Sequence, residues 1–322
     1  MTNIAFVIEP LDTLNLQKDS TLAMLWAAQR RGWATYTLES HEITWRDAGV
    51  FLNVRHTSLS VAPNDLSSSA NAAFQVGATE KQPAQFFNII MMRKDPPFDM
   101  NYVNTTYLLE QAEALGVLVV NRPEALRNCN EKFFTTAFPD LLPSQIVSSQ
   151  IAELVAFHHD QGDTIFKPLD GMGGKGIFRA TQNDPNLNVI LETLTQFETT
   201  AIVGQRYLPE IKDGDKRILL LDGEPIPFSL ARIPKTGESR GNLAAGGTGI
   251  AQPLTNKDRE IAAAMAPELV RRGLTFTGID VIGDYLTEVN VTCPTCIREI
   301  DRACNLDIAS ELLDLLAKKL VN

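Results

Sequence analysis

The chain has 322 residues, which corresponds to two or three domains at roughly 100–200 residues each. Apolar residues make up 44% of the sequence and charged residues 21%, a balance that excludes an intrinsically disordered protein. Asp and Glu number 39 against 29 for Lys and Arg, and the formal net charge of -10 argues against a general binder of nucleic acid or of anionic membranes. With no signal-peptide pattern, no run of about 18 apolar residues and only 4 cysteines, we expect a cytoplasmic protein without a disulfide framework.

The first third of the chain alternates short apolar strands with helices. A predicted strand at residues 4–8 precedes a helix that begins at Asp19 or Ser20 and ends before Gly32. Since parallel strands need crossover helices, this order predicts an open parallel sheet, and no glycine-rich dinucleotide fingerprint follows the first strand. Residues 57–85, rich in Ser, Ala, Asn and Pro, are expected to be irregular. The other predicted elements are strands at 35–38, 50–54, 87–92 and 117–120 and a helix at about 101–115.

The pattern changes near residue 122 and again near residue 200. Between these points short helices and strands alternate, whereas the later strands are longer and are joined by tight turns such as Asp222-Gly223. We therefore predict an α/β (α+β multi-domain) protein. Its parts are a parallel-sheet domain at 1–122, a small middle unit at 123–200 and a larger antiparallel-sheet domain at 201–322. Predicted helices lie at 123–128, 131–138, 151–160, 256–272 and 308–320.

A glycine-rich loop at residues 167–176 is the first chemical signal. Four glycines within six residues let backbone amides converge on an anion. A Walker loop would end in Gly-Lys-Ser/Thr and open a helix, but here both flanks are strand-like. The loop is therefore predicted to be the tip of a hairpin that folds over phosphates, with a plain flexible turn as the alternative. Its glycines are Gly171, Gly173, Gly174 and Gly176.

A hairpin predicted at residues 275–291 carries three oxygen-bearing side chains. Strand alternation puts Glu288 and Asn290 on one face, and it places Asp280 opposite Glu288 if the apolar residues of both strands face the core. A strict two-residue turn at Gly283-Asp284 would put Asp280 on the wrong face, so we predict a three-residue connection or a β-bulge. Two carboxylates and an amide oxygen on one surface suit Mg²⁺, while a solvated polar face is the alternative.

A long glycine-rich loop at residues 233–249 carries Arg240. Long loops inside compact regions are usually lids or disordered segments. Arg240 could swing in and grip a carboxylate or phosphate, because its guanidinium offers a bidentate fork. This acidic protein also gathers cations nearby in the sequence, although a solvated charged loop is the alternative. Those cations are Lys212, Lys216, Arg217 and Arg232.

Two further patterns carry less information. Arg93 ends an interior strand at its C-terminal edge, where open α/β sheets place ligands, and it could contact the substrate. Cys293 and Cys296 have the spacing of half a zinc site or of a redox pair. No second cysteine pair or histidine lies at usable spacing in the sequence, so we predict neither role.

Taken in order, these segments resemble the ATP-grasp ligases, and specifically the prokaryotic type of glutathione synthetase. The match runs over nearly the whole chain in the family's order, which makes it more specific than any single motif. The resemblance implies an ATP-grasp fold preceded by an N-terminal open parallel-sheet domain. The segments that carry it are residues 92–99, 130–132, 167–174, 212–217, 230–234, 240–247 and 286–292.

The resemblance also implies roles by position. Lys132 and Lys167 would contact ATP phosphates beneath Gly171, Gly173 and Gly174. The adenine pocket would be lined by the strand that contains Gln205 and Tyr207. The remaining implied roles are Mg²⁺ (or Mn²⁺) ligation by Asp280, Glu288 and Asn290, contact with the reacting phosphate and peptide by Arg217 and Arg232, and closure of the site by Arg240, Gly241 and Asn242.

The reaction implied is the ligation of γ-glutamylcysteine and glycine, with ATP as co-substrate and an acyl phosphate intermediate. The resemblance further implies small-molecule substrates and a homotetramer. Two alternatives remain open at this point. One is another carboxylate–amine ligase of the same fold, and the other is a nucleotide-binding regulator without turnover.

Overall fold

Three β-sheets organise the chain, in a computed structural model that describes residues 1–66, 73–238, 240–243 and 246–321. The N-terminal sheet has 7 strands, the middle sheet 4 and the C-terminal sheet 5. Within the described ranges, no helix is long and apolar enough to cross a membrane. The mixed architecture of parallel and antiparallel sheets with helices confirms the predicted fold class.

The N-terminal sheet is parallel at its centre and antiparallel at one edge. β2, β1, β6 and β7 run parallel in that order, as the strand–helix alternation predicts, while β3, β4 and β5 pair antiparallel. Asp19 caps the first helix by accepting a hydrogen bond from the Thr21 amide, in agreement with the predicted start. The elements are β1 (Asn3–Val7), α1 (Ser20–Arg30), β2 (Ala34–Leu38), β3 (Ile43–Arg46), β4 (Gly49–Leu59), β5 (Phe74–Pro83), β6 (Ile89–Met92), α2 (Met100–Ala114) and β7 (Leu118–Val120).

The prediction of an irregular segment at residues 57–85 is wrong for most of its described part. β4 continues to Leu59, and β5 returns beside it over ten residues. Nearly every residue of β5 is exposed or half-buried, so its sequence lacks the apolar alternation that marks a strand with one face in the core. Residues 67–72, which also belong to the predicted segment, lie outside the described residues.

The middle and C-terminal sheets are antiparallel. The middle sheet has the order β10-β9-β11-β8 and the C-terminal sheet the order β14-β13-β12-β15-β16. Because β11 completes the middle sheet, we propose Arg206, rather than residue 200, as the end of the middle unit. The elements are α3 (Pro123–Asn128), β8 (Gln145–Ser148), α4 (Ile151–Gln161), β9 (Thr164–Pro168), β10 (Phe178–Ala180), α5 (Leu187–Thr195), β11 (Ile202–Arg206), β12 (Asp215–Leu221), β13 (Glu224–Ile233), β14 (Thr248–Pro253), α6 (Asn256–Arg272), β15 (Phe276–Ile282), β16 (Tyr285–Asn290), α7 (Ile297–Cys304) and α8 (Ile308–Lys319).

The apolar cores join the first and last parts of the chain and leave the middle unit separate. Two large clusters each combine residues of the N-terminal sheet with residues of the C-terminal sheet, and α8 packs against α1 in one of them. Asn121 reinforces this junction, because its side chain donates to the carbonyls of Phe276 and Val291 and accepts from the Phe276 amide. The middle unit has its own small core around Leu154, Phe166 and Leu191.

A half-buried carboxyl between α7 and α8 gives a stability prediction. Burial raises the pKa of Asp301 to about 7, and the carboxylates of Asp307 and Glu311 act in the same direction. The free energy of unfolding therefore falls as the pH rises from about 4 to 7, because the unfolded chain loses this proton at a lower pH than the folded chain does. Solvent screening reduces this cost, so we expect Asp301→Asn to raise the Tm by only a few degrees at pH 8.

Asn at position 301 can still accept the hydrogen bond from the Ile308 amide, which the carboxylate accepts at 3.0 Å. Thermal melts of the two proteins at pH 4, 6 and 8 measure the effect. An equal Tm difference at all three pH values would contradict the role of ionisation.

Candidate active site

Two adjoining cavities lie where the three sheets meet. The larger has a volume of about 440 Å³ and is walled by the N-terminal segment around Asn15 to Asp19 and by the C-terminal sheet. The smaller, of about 80 Å³, lies between the middle and C-terminal sheets. Glu288 and Asn242 line both cavities, so a ligand in one would touch groups that also face the other.

The predicted acidic hairpin forms with the predicted irregularity. Asp280 on β15 lies opposite Glu288 on β16, and a register shift follows directly between Asp280 and Val281. The bulge shifts the pairing by one residue before the Gly283-Asp284 turn. This shift lets the apolar residues of both strands face the core. The predicted pairing and the predicted bulge are therefore both confirmed.

Asp280 is buried between two arginines. The guanidinium of Arg217 donates from Nε to Oδ1 at 2.5 Å and from Nη2 to Oδ2 at 3.0 Å. Arg232 adds a contact from Nη2 to Oδ2 at 2.8 Å. Burial alone would raise the pKa of Asp280, but these two guanidinium groups hold it well below its usual value. Asp280 is therefore an anion in the site.

Asn290 fits the role of an oxygen ligand beside these carboxylates. It lies across the hairpin from Gly278 and lines the larger cavity together with Glu288. Its Nδ2 is buried and has no hydrogen-bond partner within the described part of the chain. Two carboxylates and one amide oxygen are donors of the kind that hard cations such as Mg²⁺ take.

Two lysines face the smaller cavity from opposite sides. Lys132 lies 3.1 Å from a Glu288 carboxylate oxygen and also donates to the carbonyl of Gly171. Lys167 donates to the Gln205 side-chain oxygen at 3.0 Å and to the Thr287 carbonyl at 3.1 Å. Both lysines line the smaller cavity with Gln205 and Tyr207, so the structure brings together four of the residues that the resemblance assigns to ATP. Of the three assigned glycines, Gly173 lines the larger cavity instead.

The two lysines differ in their acidity. Burial would lower the pKa of Lys132, but the neighbouring Glu288 carboxylate outweighs it and raises the pKa. For Lys167 burial dominates and lowers the pKa to about 8. If Lys167 holds a phosphate, the affinity for a nucleotide should be constant below about pH 8 and fall above it, by at most about tenfold per pH unit.

Titration calorimetry with a non-hydrolysable ATP analogue between pH 7 and 9.5 tests this dependence. Lys167→Arg is the matched variant, because arginine stays charged over the whole range. A wild-type affinity that does not change between pH 8 and 9.5 would contradict the assignment.

The glycine loop and the lid touch each other above the cavities. β9 and β10 pair antiparallel around the loop, which confirms the predicted hairpin, and Gly173 and Gly174 have φ of 62° and 82°. Arg240 donates from Nη1 to the carbonyl of Gly174 at 3.1 Å, while its other nitrogens bind the Glu238 carboxylate. A Cβ added at Gly174 would lie 2.9 Å from Asn242 Oδ1. Ser239, Ala244 and Ala245 of the predicted lid lie outside the described residues.

Gly241 sets how closely the lid approaches the C-terminal sheet. A Cβ at this position would overlap the carbonyl oxygen of Arg232 and lie 3.1 Å from the Cβ of Asp215. Only a residue without a side chain allows this approach. Gly241 of the predicted lid therefore lies directly against Arg232 and Asp215.

Arg93 is buried behind the wall of the larger cavity. Its Nη2 donates to the carbonyl of Pro294 at 3.0 Å, and its Nε to the hydroxyl of Thr21 at 3.3 Å. It thereby ties the start of α1 to the segment that carries Cys293 and Cys296, both of which line the cavity. Direct contact of Arg93 with a substrate remains a prediction.

Sequence reasoning missed two groups of residues in this site. Asp215 lies two positions before Arg217 on β12, and strand alternation could have placed both on one face. The N-terminal wall has no such signal, because its residues lie in loops and at a helix cap. Its charged members are Glu9, Lys18, Asp19 and Asp95.

Comparison with protein families and relatives agrees with the geometry of the site. The model of the prokaryotic glutathione synthetase N-terminal domain matches residues 2–127, and that of the ATP-grasp domain of the same family matches residues 131–305. Glutathione synthetase of Pseudomonas aeruginosa is 54% identical over 317 residues, covering 98% of both chains. Glutathione synthetase of Shewanella oneidensis is 49% identical over 320 residues, covering 99% of both.

Solved structures show the same fold at low identity. The D-cycloserine synthetase DcsG has a TM-score of 0.67 at 13% identity and covers 99% of both chains. The ATP-grasp ligase PsnB, complexed with a minimal precursor, has a TM-score of 0.62 at 18% identity, covering 100% of this chain and 99% of its own. The two family models and the relatives together show that this chain is an ATP-dependent ligase that belongs to the prokaryotic glutathione synthetase family.

Proposed function

We propose that this chain joins γ-glutamylcysteine to glycine, with conversion of ATP to ADP and phosphate, and so produces glutathione. The observation that carries the proposal is the opposition of Asp280 and Glu288 across the hairpin, with Arg217, Arg232 and Lys132 around them. Glu288 lines both cavities. This arrangement gathers anionic oxygens and cations at one point, as the transfer of a phosphoryl group to a carboxylate requires.

The chemistry needs activation of the peptide carboxylate. A carboxylate is a poor acyl donor because its leaving group would be oxide. Transfer of the γ-phosphoryl group of ATP to the cysteinyl carboxylate gives an acyl phosphate, and attack by the glycine amine then forms the amide and releases phosphate. The protein must align these groups and stabilise the charge on the transferring phosphoryl group, and no covalent enzyme intermediate is needed.

The residues divide between the two cavities according to their chemistry. The smaller cavity suits the nucleotide, with Gln205 and Tyr207 near the base and Lys132 and Lys167 on the phosphates. The larger cavity suits the peptide and glycine, and Arg217 and Arg232 face it with permanent positive charge. The glycine loop contributes Gly173, together with Met172, to the wall of this second cavity.

Asp280, Glu288 and Asn290 are the residues that would hold Mg²⁺, or Mn²⁺ in its place. The opposed carboxylates and the amide oxygen of Asn290, which lines the larger cavity with Glu288, are donors that fit such an ion. When bound, the ion would supply positive charge to the phosphate oxygens. Lys132, Lys167 and Arg217 would oppose the same developing charge from the protein side. The lid at Arg240, Gly241 and Asn242 would exclude water from the acyl phosphate.

Formation of ADP that depends on both γ-glutamylcysteine and glycine tests the proposal. It also separates it from the two alternatives, since another carboxylate–amine ligase would require a different acid or amine and a regulator would form no ADP. Transfer of ¹⁸O from the peptide carboxylate into the released phosphate would support the acyl phosphate. Its absence would refute that route. Light scattering would test the tetramer that the family resemblance implies.

A further inference from the structure

We propose that Asp215 is a positioning residue that keeps Arg232 in place when a divalent cation binds Asp280. The inference rests on the proposed function, because it takes Asp280 as a ligand of that cation. It adds a role for a carboxylate that neither the family resemblance nor the acidic hairpin assigns.

Arg232 is shared between two carboxylates. Its Nη2 lies 2.5 Å from Asp215 Oδ2 and 2.8 Å from Asp280 Oδ2. Its Nε donates to the backbone carbonyl of Asp215 at 3.2 Å. All three side chains are buried, with Asp215 9% exposed, Arg232 4% and Asp280 1%. Asp215 and Arg232 are also cross-strand partners, so the pairing is set by the register of β12 and β13.

The two arginines and a bound cation would compete for the carboxylate oxygens of Asp280. Its Oδ1 accepts from Arg217, and its Oδ2 is in contact with Arg217 and Arg232. A cation that bound Oδ2 would compete with the two guanidinium contacts of that oxygen. A buried guanidinium left without a counter-charge is strongly destabilising, so the displaced arginine needs a second anion.

Asp215 has the capacity to be that anion. Its Oδ1 is buried and has no hydrogen-bond partner among the residues that the structure describes. An N–H that leaves Asp280 could therefore be accepted by Asp215 with little movement. Gly241 of the lid lies against Asp215 and Arg232, so the pair would also stay in contact with the closed lid. Arg232 would then remain oriented toward the larger cavity, which it lines.

The test is equilibrium binding of ADP with and without Mg²⁺, measured by calorimetry in the absence of turnover. The quantity compared is the gain in ADP affinity that Mg²⁺ provides. In Asp215→Asn, Arg232 would have Asp280 as its sole carboxylate, and the cation would have to compete with it. We expect the gain to fall by about 10- to 100-fold, as for other groups that support a metal ligand. Asp215 also lines the smaller cavity, so the affinity for ADP alone is measured for each variant, and the gain is the ratio of the affinity with Mg²⁺ to the affinity without it.

Asp213→Asn is the matched control, because Asp213 is two residues away, is exposed and pairs with Lys212. It should leave the Mg²⁺-dependent gain unchanged. Glu288→Gln, which alters a proposed ligand directly, should abolish the gain. If Glu288→Gln abolishes it and Asp215→Asn does not reduce it, the role of Asp215 is refuted while the proposed site stands. If Glu288→Gln also retains the gain, the metal assignment itself fails.

A double variant covers the case in which Asp215→Asn does not fold. Arg232→Gln removes the charge that Asp215 is proposed to hold, and the pair Asp215→Asn/Arg232→Gln buries no unbalanced charge at these two positions. Asp215→Asn should cause no further loss of the Mg²⁺-dependent gain in this background. A lower Mg²⁺-dependent gain in the double variant than in Arg232→Gln alone would overturn the proposal.

Discussion

Glu288→Gln is expected to retain the fold and to lower kcat by about 100-fold or more, on the scale of losing one charge-stabilising group. The amide preserves the volume of the side chain but removes its charge. Two partners would be affected, since Glu288 lies opposite Asp280 and within 3.1 Å of Lys132. The loss should be largest at limiting Mg²⁺, because the proposed ion would keep one carboxylate and one amide ligand.

Formation of ADP at saturating substrates, over a titration of Mg²⁺, measures this effect. Glu224→Gln is a suitable control, since Glu224 is an exposed glutamate at the start of β13 and does not line either cavity. Circular dichroism should show that both variants are folded. Near-normal activity of Glu288→Gln at limiting Mg²⁺ would defeat the metal assignment.

Gly241→Ala should uncouple ATP consumption from peptide synthesis. The added methyl group would overlap the carbonyl of Arg232 and press on Asp215, so the lid could not reach its present position. Water would then reach the acyl phosphate, which hydrolyses instead of reacting with glycine. We expect kcat for glutathione to fall by about 100-fold, the scale of a small misplacement of reacting groups, with a smaller fall in ADP formation.

The ratio of ADP to glutathione formed is the measurement that reports on the lid. Gly249→Ala is the matched control, because its added methyl group would meet the flexible side chain of Leu230 at 3.3 Å and no backbone atom closer than that. This variant should keep the ratio near one. A ratio near one in Gly241→Ala as well would show that the lid does not exclude water.

The sequence predicted those parts of the site that follow from strand geometry. The pairing of Asp280 with Glu288 and the bulge beside it follow from the two-residue period of a strand with one buried face. The glycine hairpin was also predictable, because glycine-rich composition has a direct conformational meaning. In each case a local rule determines the arrangement.

The remainder depends on contacts that are distant in the sequence. β5 was missed because its side chains contribute little to the core, so its pairing with β4 is a backbone interaction without an apolar pattern. Asp215 and Arg232 are 17 residues apart, and only the register of β12 and β13 brings them together beside Asp280. The burial of Arg93 behind Pro294, 201 residues away, has no local signature at all.

The separate core of the middle unit has a consequence for how a nucleotide enters and leaves. Its small cluster of six buried residues shares none of them with the two large clusters of the rest of the chain. We therefore expect that this lobe can open while the rest of the chain stays folded, and that a nucleotide bound between the lobe and the C-terminal sheet would hold it closed. Addition of a nucleotide should then slow amide hydrogen exchange in β8 to β11 only. This change would report nucleotide binding without any need for catalysis.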